Sequence, residues 1–405
     1  MVENNEKHAL KGVINMNGTY LILQNSDKKK WILPEKNLKV ALCLYQPSSL
    51  KGRMLKFILP VISRFSMISS IIYKMVDIEK RELDEMRGLN EIIKEYLDDD
   101  IYILSYFMGT PSSKHQKCTI QISNQSDIKA YCKVSQSDEI LTLFKKEKDI
   151  LDELHVRGIN NVPVCLFAGR WKDGNYYFMQ STVKTLNSKT VHIISNREML
   201  FLRDLTEKTL VELPFEETDY YQDIQWLAKN IDCLKIMSKD LNCLTRILDN
   251  YLSCKGTTVS FGVSHGDFTP WNCFVEKGNL FVFDFEYAKR TYPPFLDFFH
   301  FYIQTAIFER HLSAREIMMD LEGNMGLHDV ISDFIKNPYR ILSMYLISII
   351  SVYTKRDFGL FSSDDKMCIE TWLDLLNILC EKCSDAIQLD LSEVSWKIKR
   401  DIVKQ

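Results

Sequence analysis

Two kinds of patterning divide this chain, and the division limits the folds open to it. As far as residue 183, most apolar residues come in short runs broken by polar turns; from residue 195 onward they recur at helical spacing over long stretches. In the first part, residues 101–107, 118–123 and 128–134 read as a three-strand meander, the last two joined by the turn Asn124-Gln125-Ser126-Asp127. A helical pattern over 139–156, closed by Arg157-Gly158, is followed by two more strands at 162–167 and 176–183. Helical patterns then dominate, at 221–248, 302–319, 338–353 and 366–386. The expected class is α+β, a small β-rich lobe followed by a large helical lobe. The expected organisation is an N-terminal extension over 1–99, the β-rich lobe over 100–183 and the helical lobe over 184–405.

The first hundred residues have their own character. Short strands are expected at 19–23, 30–33 and 40–45. Over 50–75 the pattern changes, with Leu55, Ile58, Leu59, Ile62, Phe65, Ile68, Ile71 and Ile72 at helical spacing and a break expected at Pro60. Residues 51–76 hold Lys51, Arg53, Lys56, Arg64 and Lys74 and no acid. A basic amphipathic segment of this kind lies in an anionic membrane surface, or packs on the body of the protein with its cations in water.

Composition excludes several classes. The 51 basic and 54 acidic side chains leave a formal charge of −3, which gives no strong field for nucleic acid. The chain holds 11 Cys, an odd number without framework spacing, and begins without the apolar core of a signal peptide, so a reducing, cytoplasmic compartment is expected. With no uncharged apolar run of about 18 residues, the length a spanning helix needs, the expectation is a soluble protein or one peripheral at the inner face of the membrane.

Residues 264–297, SHGDFTPWNCFVEKGNLFVFDFEYAKRTYPPFLD, carry the most chemistry. Residues 273–275 and 280–283 are strand-like runs about a loop, Glu276-Lys277-Gly278-Asn279. Pairing Val275 with Leu280 sets Asn272 opposite Phe283, one residue from Asp284, so that an amide and a carboxylate meet at the open end of the hairpin. Such oxygen donors suit Mg²⁺, which is completed by waters and nucleotide phosphates. Asp267, five residues before Asn272, is placed to orient or deprotonate an attacking hydroxyl.

This H-G-D-x-x-x-x-N motif followed by an Asp-Phe-Glu-Tyr run resembles the aminoglycoside phosphotransferase and choline kinase superfamily, small-molecule relatives of the protein kinases. The resemblance covers roughly residues 100–300 and does not reach 1–99. It implies a protein-kinase-like two-lobed fold, with ATP and Mg²⁺ as cofactors. It implies Asp267 as the catalytic Asp, Asn272 and Asp284 as metal ligands with Glu286 assisting, Asp297 as a structural Asp, and His265 holding the loop through hydrogen bonds. The segment 283–288 looks like the metal-binding segment of choline and ethanolamine kinases, whereas HGDFTPWN looks more like phosphotransferases of bacterial sugar and polysaccharide genes. Gly266, where protein kinases have Arg, and Glu286, where theirs have Gly, set the chain apart from protein kinases.

A kinase-like lobe needs a strand Lys paired with a helix Glu. Lys133 stands near the end of the third meander strand, and Glu147 shares the apolar helix face of Leu143, Phe144, Ile150 and Leu151, where a carboxylate needs a partner. Lys133 is that expected partner, positioning the nucleotide phosphates. The resemblance places adenine against the strand at 177–183, with backbone contacts around Gln180, Ser181 and Thr182. The 109–117 loop has a single glycine, leaving Thr110, Ser112 and Ser113 to meet the phosphates.

The expected activity is ATP- and Mg²⁺-dependent phosphoryl transfer to a hydroxyl of a small molecule or glycan, with a saccharide acceptor in polysaccharide or glycolipid metabolism favoured. The alternatives are a choline, ethanolamine or aminoglycoside kinase and a non-catalytic nucleotide-binding module. No nucleic-acid partner is expected; residues 51–76 are the candidate for peripheral membrane contact. Three weaker signals carry no site: the Cys380/Cys383 pair, the acids between 204 and 223, and the tryptophans, which read more simply as buried thiols, a solvated segment and core residues.

Overall fold

The sheet begins with the alternation of strands β1 (Gly18–Gln24) and β2 (Lys30–Pro34). Tyr20 and Ile32 join one core and Leu21, Leu23, Trp31 and Leu33 another. In this computed structural model the described residues are 18–47, 50–83, 87–97, 102–110, 117–323, 337–358, 360–382 and Leu391. Strands β3 (Glu79–Leu83), β4 (Ile103–Met108), β5 (Cys118–Ser123), β6 (Ile128–Ser135), β7 (Cys165–Arg170) and β8 (Tyr176–Ser181) complete an eight-stranded sheet, in the order β3-β1-β2-β4-β5-β6-β8-β7. Every adjacent pair in it is antiparallel. The sheet does not stop at residue 100: Trp31 pairs with Phe107 and Ile32 with Tyr106, so the first strands of the chain continue the meander.

Among the described residues four short helices precede the meander: α1 (Leu38–Ala41), α2 (Leu50–Ile62), α3 (Ser66–Met75) and α4 (Arg87–Tyr96). Leu89, Ile92 and Ile93 of α4 pack with Ile120, Ala130, Cys132 and Met179 of the sheet. Helices α1, α2 and α3 contribute Leu38, Ala41, Leu59 and Tyr73 to the second core. Helix α5 (Asp138–Val156) follows β6, and its Phe144 ring lies 5.6 Å from that of Phe178.

The described chain divides into two compact units, one of residues 1–155, 162–189 and 276–281, the other of 156–161, 190–275 and 282–405. The second is mainly helical, with α6 (Asn196–Thr209), α7 (Asp219–Lys229), α8 (Ser238–Leu252), α9 (Leu296–Phe308), α10 (Ala314–Gly323), α11 (Pro338–Asp357) and α12 (Ser363–Lys382). A capping box between Ser195 and Glu198 starts α6. Strands β10 (Val211–Pro214), β11 (Thr258–Ser264) and β14 (Lys289–Tyr292) form a small antiparallel sheet; β9 (Lys189–Thr190), β12 (Cys273–Glu276) and β13 (Asn279–Val282) form another three-stranded one. The antiparallel sheet followed by helices is the α+β arrangement expected from the sequence.

Several expectations need correction. The strand expected at 40–45 is instead the end of α1 and a run of turns, because Leu38, Val40 and Ala41 bury themselves at helical rather than alternate spacing. Pro60 lies inside α2, and the chain breaks after Ile62. The helix expected over 221–248 is two, parted where Lys235 takes a left-handed conformation (φ 51°); that over 302–319 is likewise two, with His311 at φ 53° between them. Among the described residues no helix is long and apolar enough to cross a membrane.

Candidate active site

In the first unit, β6 is flanked by β5 and β8, and Lys133 pairs in register with Thr119 and Phe178. Its neighbours Cys132 and Val134 turn to the core that α4 covers, which sends Lys133 to the other face of the sheet. There its Nζ donates to Glu147 Oε2 at 2.7 Å and lies 5.3 Å from the centre of the Phe178 ring. Both partners are buried. Desolvating two opposite charges costs several kcal/mol per ion, so a pair of this kind is weak as a stability device and more telling as a site feature.

Next to this pair, Gln180 near the end of β8 is buried, and among the described residues its Oε1 has no hydrogen-bond partner. Ser181 is committed to Val164: its N–H donates to Val164 C=O and its Oγ accepts from Val164 N–H, each at 2.9 Å. Thr182 Oγ1 accepts from Lys184 N–H. Thr110 lies two residues beyond β4; Ser112 and Ser113 lie outside the described residues.

In the second unit the 264–272 loop is held from below by Asp297, at the start of α9. Its carboxylate accepts from Ser264 Oγ (3.0 Å), His265 N–H (2.7 Å) and Gly266 N–H (2.9 Å). Gly266 sits at φ 78°, and a Cβ there would come within 2.5 Å of Tyr287 C=O, so the motif requires glycine at this place. The buried His265 ring bridges the loop to the hairpin: Nδ1 accepts from Asp267 N–H and Nε2 donates to Phe283 C=O at 3.0 Å. Burial holds its pKa below the ordinary imidazole value, keeping the neutral form that this pair of bonds needs. Phe268 anchors the loop between Phe201 of α6 and Phe301 of α9.

This framework presents Asp267. One carboxylate oxygen is 3.0 Å from His300 Nε2 and the other accepts from Asn272 Nδ2 at 2.8 Å, while a third of its side chain stays exposed. Asn272 Nδ2 also donates to Asp267 C=O, which commits the amide nitrogen and turns Oδ1 away as the atom suited to a cation. The Phe283 N–H to Asn272 C=O bond (3.0 Å) confirms that these residues oppose each other. The turn between β12 and β13 is two residues, not four: Lys277 and Gly278 both have positive φ, as a type I′ turn demands. Asp284 stands just past Phe283 in the left-handed region, φ 72° and ψ 58°, a strained backbone for a residue with a Cβ. Glu286, two residues on, is buried.

The structure thus brings Lys133 to Glu147, and Asp267 to Asn272. His300 was missed from sequence. The signal was there: Asp297, His300 and Gln304 fall at i, i+3 and i+7, a polar stripe on a helix otherwise almost wholly apolar and buried. The acids between 204 and 223 are largely spent on internal bonds. Asp223 is buried against Lys289, Lys355 and Tyr292, and Asp219 accepts from Arg290 and Thr291 N–H groups. Trp372 is core, while Trp271, beside Asn272, is 37% exposed.

No protein-family model matches the chain, and no curated protein sequence does. The chain is similar to several solved structures of phosphotransferases. A thermostable mutant of aminoglycoside phosphotransferase APH(4)-Ia in its apo form matches at 12% identity and TM-score 0.46, over 73% of this chain and 99% of that one. The GDP complex of a mutant aminoglycoside 2′-phosphotransferase IIIa matches at 16% identity and TM-score 0.46, over 74% and 99%. A candidate fructosamine-3-kinase from Haemophilus somnus 129PT matches at 11% identity and TM-score 0.45, over 72% and 97%.

Proposed function

We propose that the chain is an ATP- and Mg²⁺-dependent phosphotransferase acting on a hydroxyl of a small molecule, with a kinase-like division of labour between its two units. The observation that carries this reading is the Asp267 carboxylate, oriented through both oxygens by His300 and Asn272 yet still open to solvent. A carboxylate so held accepts the proton of an approaching hydroxyl and aligns its oxygen for in-line attack. The carboxamide oxygen of Asn272 and the carboxylates of Asp284 and Glu286 form an all-oxygen donor set of the kind Mg²⁺ takes, so these residues fit the metal that the reading requires. When bound, Mg²⁺ neutralises charge on the transferring phosphates. Lys133, fixed by Glu147, meets the phosphate oxygens, and the Oε1 of buried Gln180, unpaired among the described residues, and the chain around Ser181 and Thr182 serve the base. Thr110, Ser112 and Ser113 belong to the phosphate loop. Rate enhancement comes from positioning and charge stabilisation.

The finer reading is a saccharide or saccharide-bearing lipid as acceptor, met in the cytoplasm at the inner face of a membrane. The half-exposed indole of Trp271 beside the catalytic loop supports it, since an indole face suits the apolar face of a sugar ring. Asp267→Ala is expected to lower phosphate transfer by at least about 10³-fold while nucleotide affinity changes little, because Asp267 acts on the acceptor. Labelled ATP against an acceptor panel, with nucleotide binding followed by calorimetry, reads both quantities; undiminished transfer by the variant refutes the assignment, and a panel in which only amino alcohols are labelled replaces the saccharide.

A further inference from the structure

Helices α2 and α3 each carry two apolar faces where a surface helix ordinarily carries one. On α2, Leu59 and Ile62 are buried, and Leu55 and Leu59 pack in the core beside β1 and β2. A separate stripe, Met54, Phe57, Ile58 and Val61, runs at i, i+3, i+4 and i+7 and faces solvent, with Phe57 82% exposed. On α3, Ser69 and Tyr73 are buried, while Ile71 and Met75, one turn apart, point outward and Met75 is 78% exposed. Successive helices of one unit therefore present large apolar side chains that no part of the described chain covers. Scattered exposed apolar residues need no explanation, but a four-residue stripe along one helix with a further exposed pair on the next does.

Charge narrows the choice of occupant. Between Glu35 and Asp77 the sequence contains no acid, while Lys51 and Arg53 on α2, Arg64 in the turn after it and Lys74 on α3 are exposed. A second copy of the chain seated on this face would set cations against cations. A surface that is apolar beneath and anionic above matches both features, and a bilayer interface with acidic headgroups is such a surface. Among the described residues no helix spans a membrane, so the association is in the plane of the interface.

We infer that the α2–α3 surface docks the chain on an anionic membrane, with the Met54, Phe57, Ile58 and Val61 stripe and the exposed Ile71 and Met75 of α3 entering the headgroup region and the flanking Lys and Arg side chains meeting lipid phosphates. This deepens the peripheral part of the reading above and does not depend on phosphoryl transfer, since none of these residues belongs to the nucleotide or acceptor machinery. The test is flotation of the full chain with vesicles of phosphatidylcholine alone or with added phosphatidylserine, without nucleotide. The expected result is binding to the anionic vesicles only. It should weaken as salt rises and drop at least about tenfold for Phe57→Ser/Val61→Ser and for Arg53→Glu/Arg64→Glu. Failure to float with anionic vesicles, or flotation unchanged in both double variants, overturns the proposal. So does a concentration-dependent dimer in gel filtration that Phe57→Ser/Val61→Ser abolishes, which would give the face to a second copy. Nucleotide turnover by the same preparations without vesicles reports separately on the catalytic reading.

Discussion

At the scale of residues, the 264–272 loop depends on groups that never reach its surface. Asp297 holds three donors of the loop, and the neutral His265 ring ties Asp267 N–H to the hairpin end. His300 completes the set. Tyr345 Oη lies 3.4 Å from its Nδ1, and burial keeps that phenol protonated as a donor, which leaves the Nε2 proton for Asp267. This makes His300 a positioning residue: it holds one carboxylate oxygen while the other is held by Asn272. His300→Ala is expected to lower kcat about 10- to 100-fold with little change in the nucleotide KM, by analogy with other buried partners that orient a functional group. Steady-state kinetics against both substrates check this; a matching loss of nucleotide affinity, with kcat kept, would assign His300 elsewhere. The hairpin that sets Asn272 opposite Phe283, one residue from Asp284, was legible from spacing, whereas the roles proposed for Asp267, Asn272 and Asp284 rest on the family resemblance. His300 was not legible, because its partner lies 33 residues away and only a packed helix brings the two together.

At the scale of elements, sequence periodicity located most helices and strands but not their interruptions. Lys235 and His311 break long helical patterns through left-handed backbone, which the apolar spacing does not encode, whereas the Lys277-Gly278 turn is legible as turn chemistry once both positive φ values are considered. Packing between elements also changes the reading of the cysteines. Cys380 of α12 is a near neighbour of Cys243 of α8, with their sulfurs 2.6 Å apart, beside a buried Asn377 to Asp240 bond joining the same helices. Cys383 lies outside the described residues. The Cys243 S–H and then the Arg246 guanidinium pull the Cys380 thiol below the ordinary thiol value, while its bond to Cys380 and burial raise Cys243. Burial drives the other way at Cys118 and Cys165, both pushed up to about 12. Iodoacetamide at neutral pH should therefore modify Cys380 ahead of these thiols, and the rate should fall as the pH is lowered and the thiolate is protonated. Peptide mass spectrometry over a time course reads the order; Cys380 labelling no faster than Cys118 contradicts it.

At the scale of the whole molecule, the sequence marks a change of character near residue 100, but the sheet runs through it. The pairing of β2 with β4 joins strands about 75 residues apart in the chain, and no local pattern announces that partner. The dependence extends into the core. Leu89, Ile92 and Ile93 of α4 are all but fully buried against β5, β6 and β8, the strands that carry Lys133 and Gln180. Removing a large apolar side chain from such a position costs about 2–5 kcal/mol, and three of them approach the entire stability of an ordinary domain, about 5–15 kcal/mol. Deletion would also bare β4 as an unpaired edge, a template for association. A chain beginning at residue 100 is accordingly expected to aggregate or to lose its cooperative thermal transition, although every residue in a proposed catalytic or nucleotide-binding role is retained. Gel filtration and circular dichroism of that chain beside the full one decide the matter: a folded monomer with an unaltered transition would mean that the first hundred residues decorate the sheet, and aggregation would mean that the first strands and α4 hold together the sheet on which Lys133 stands.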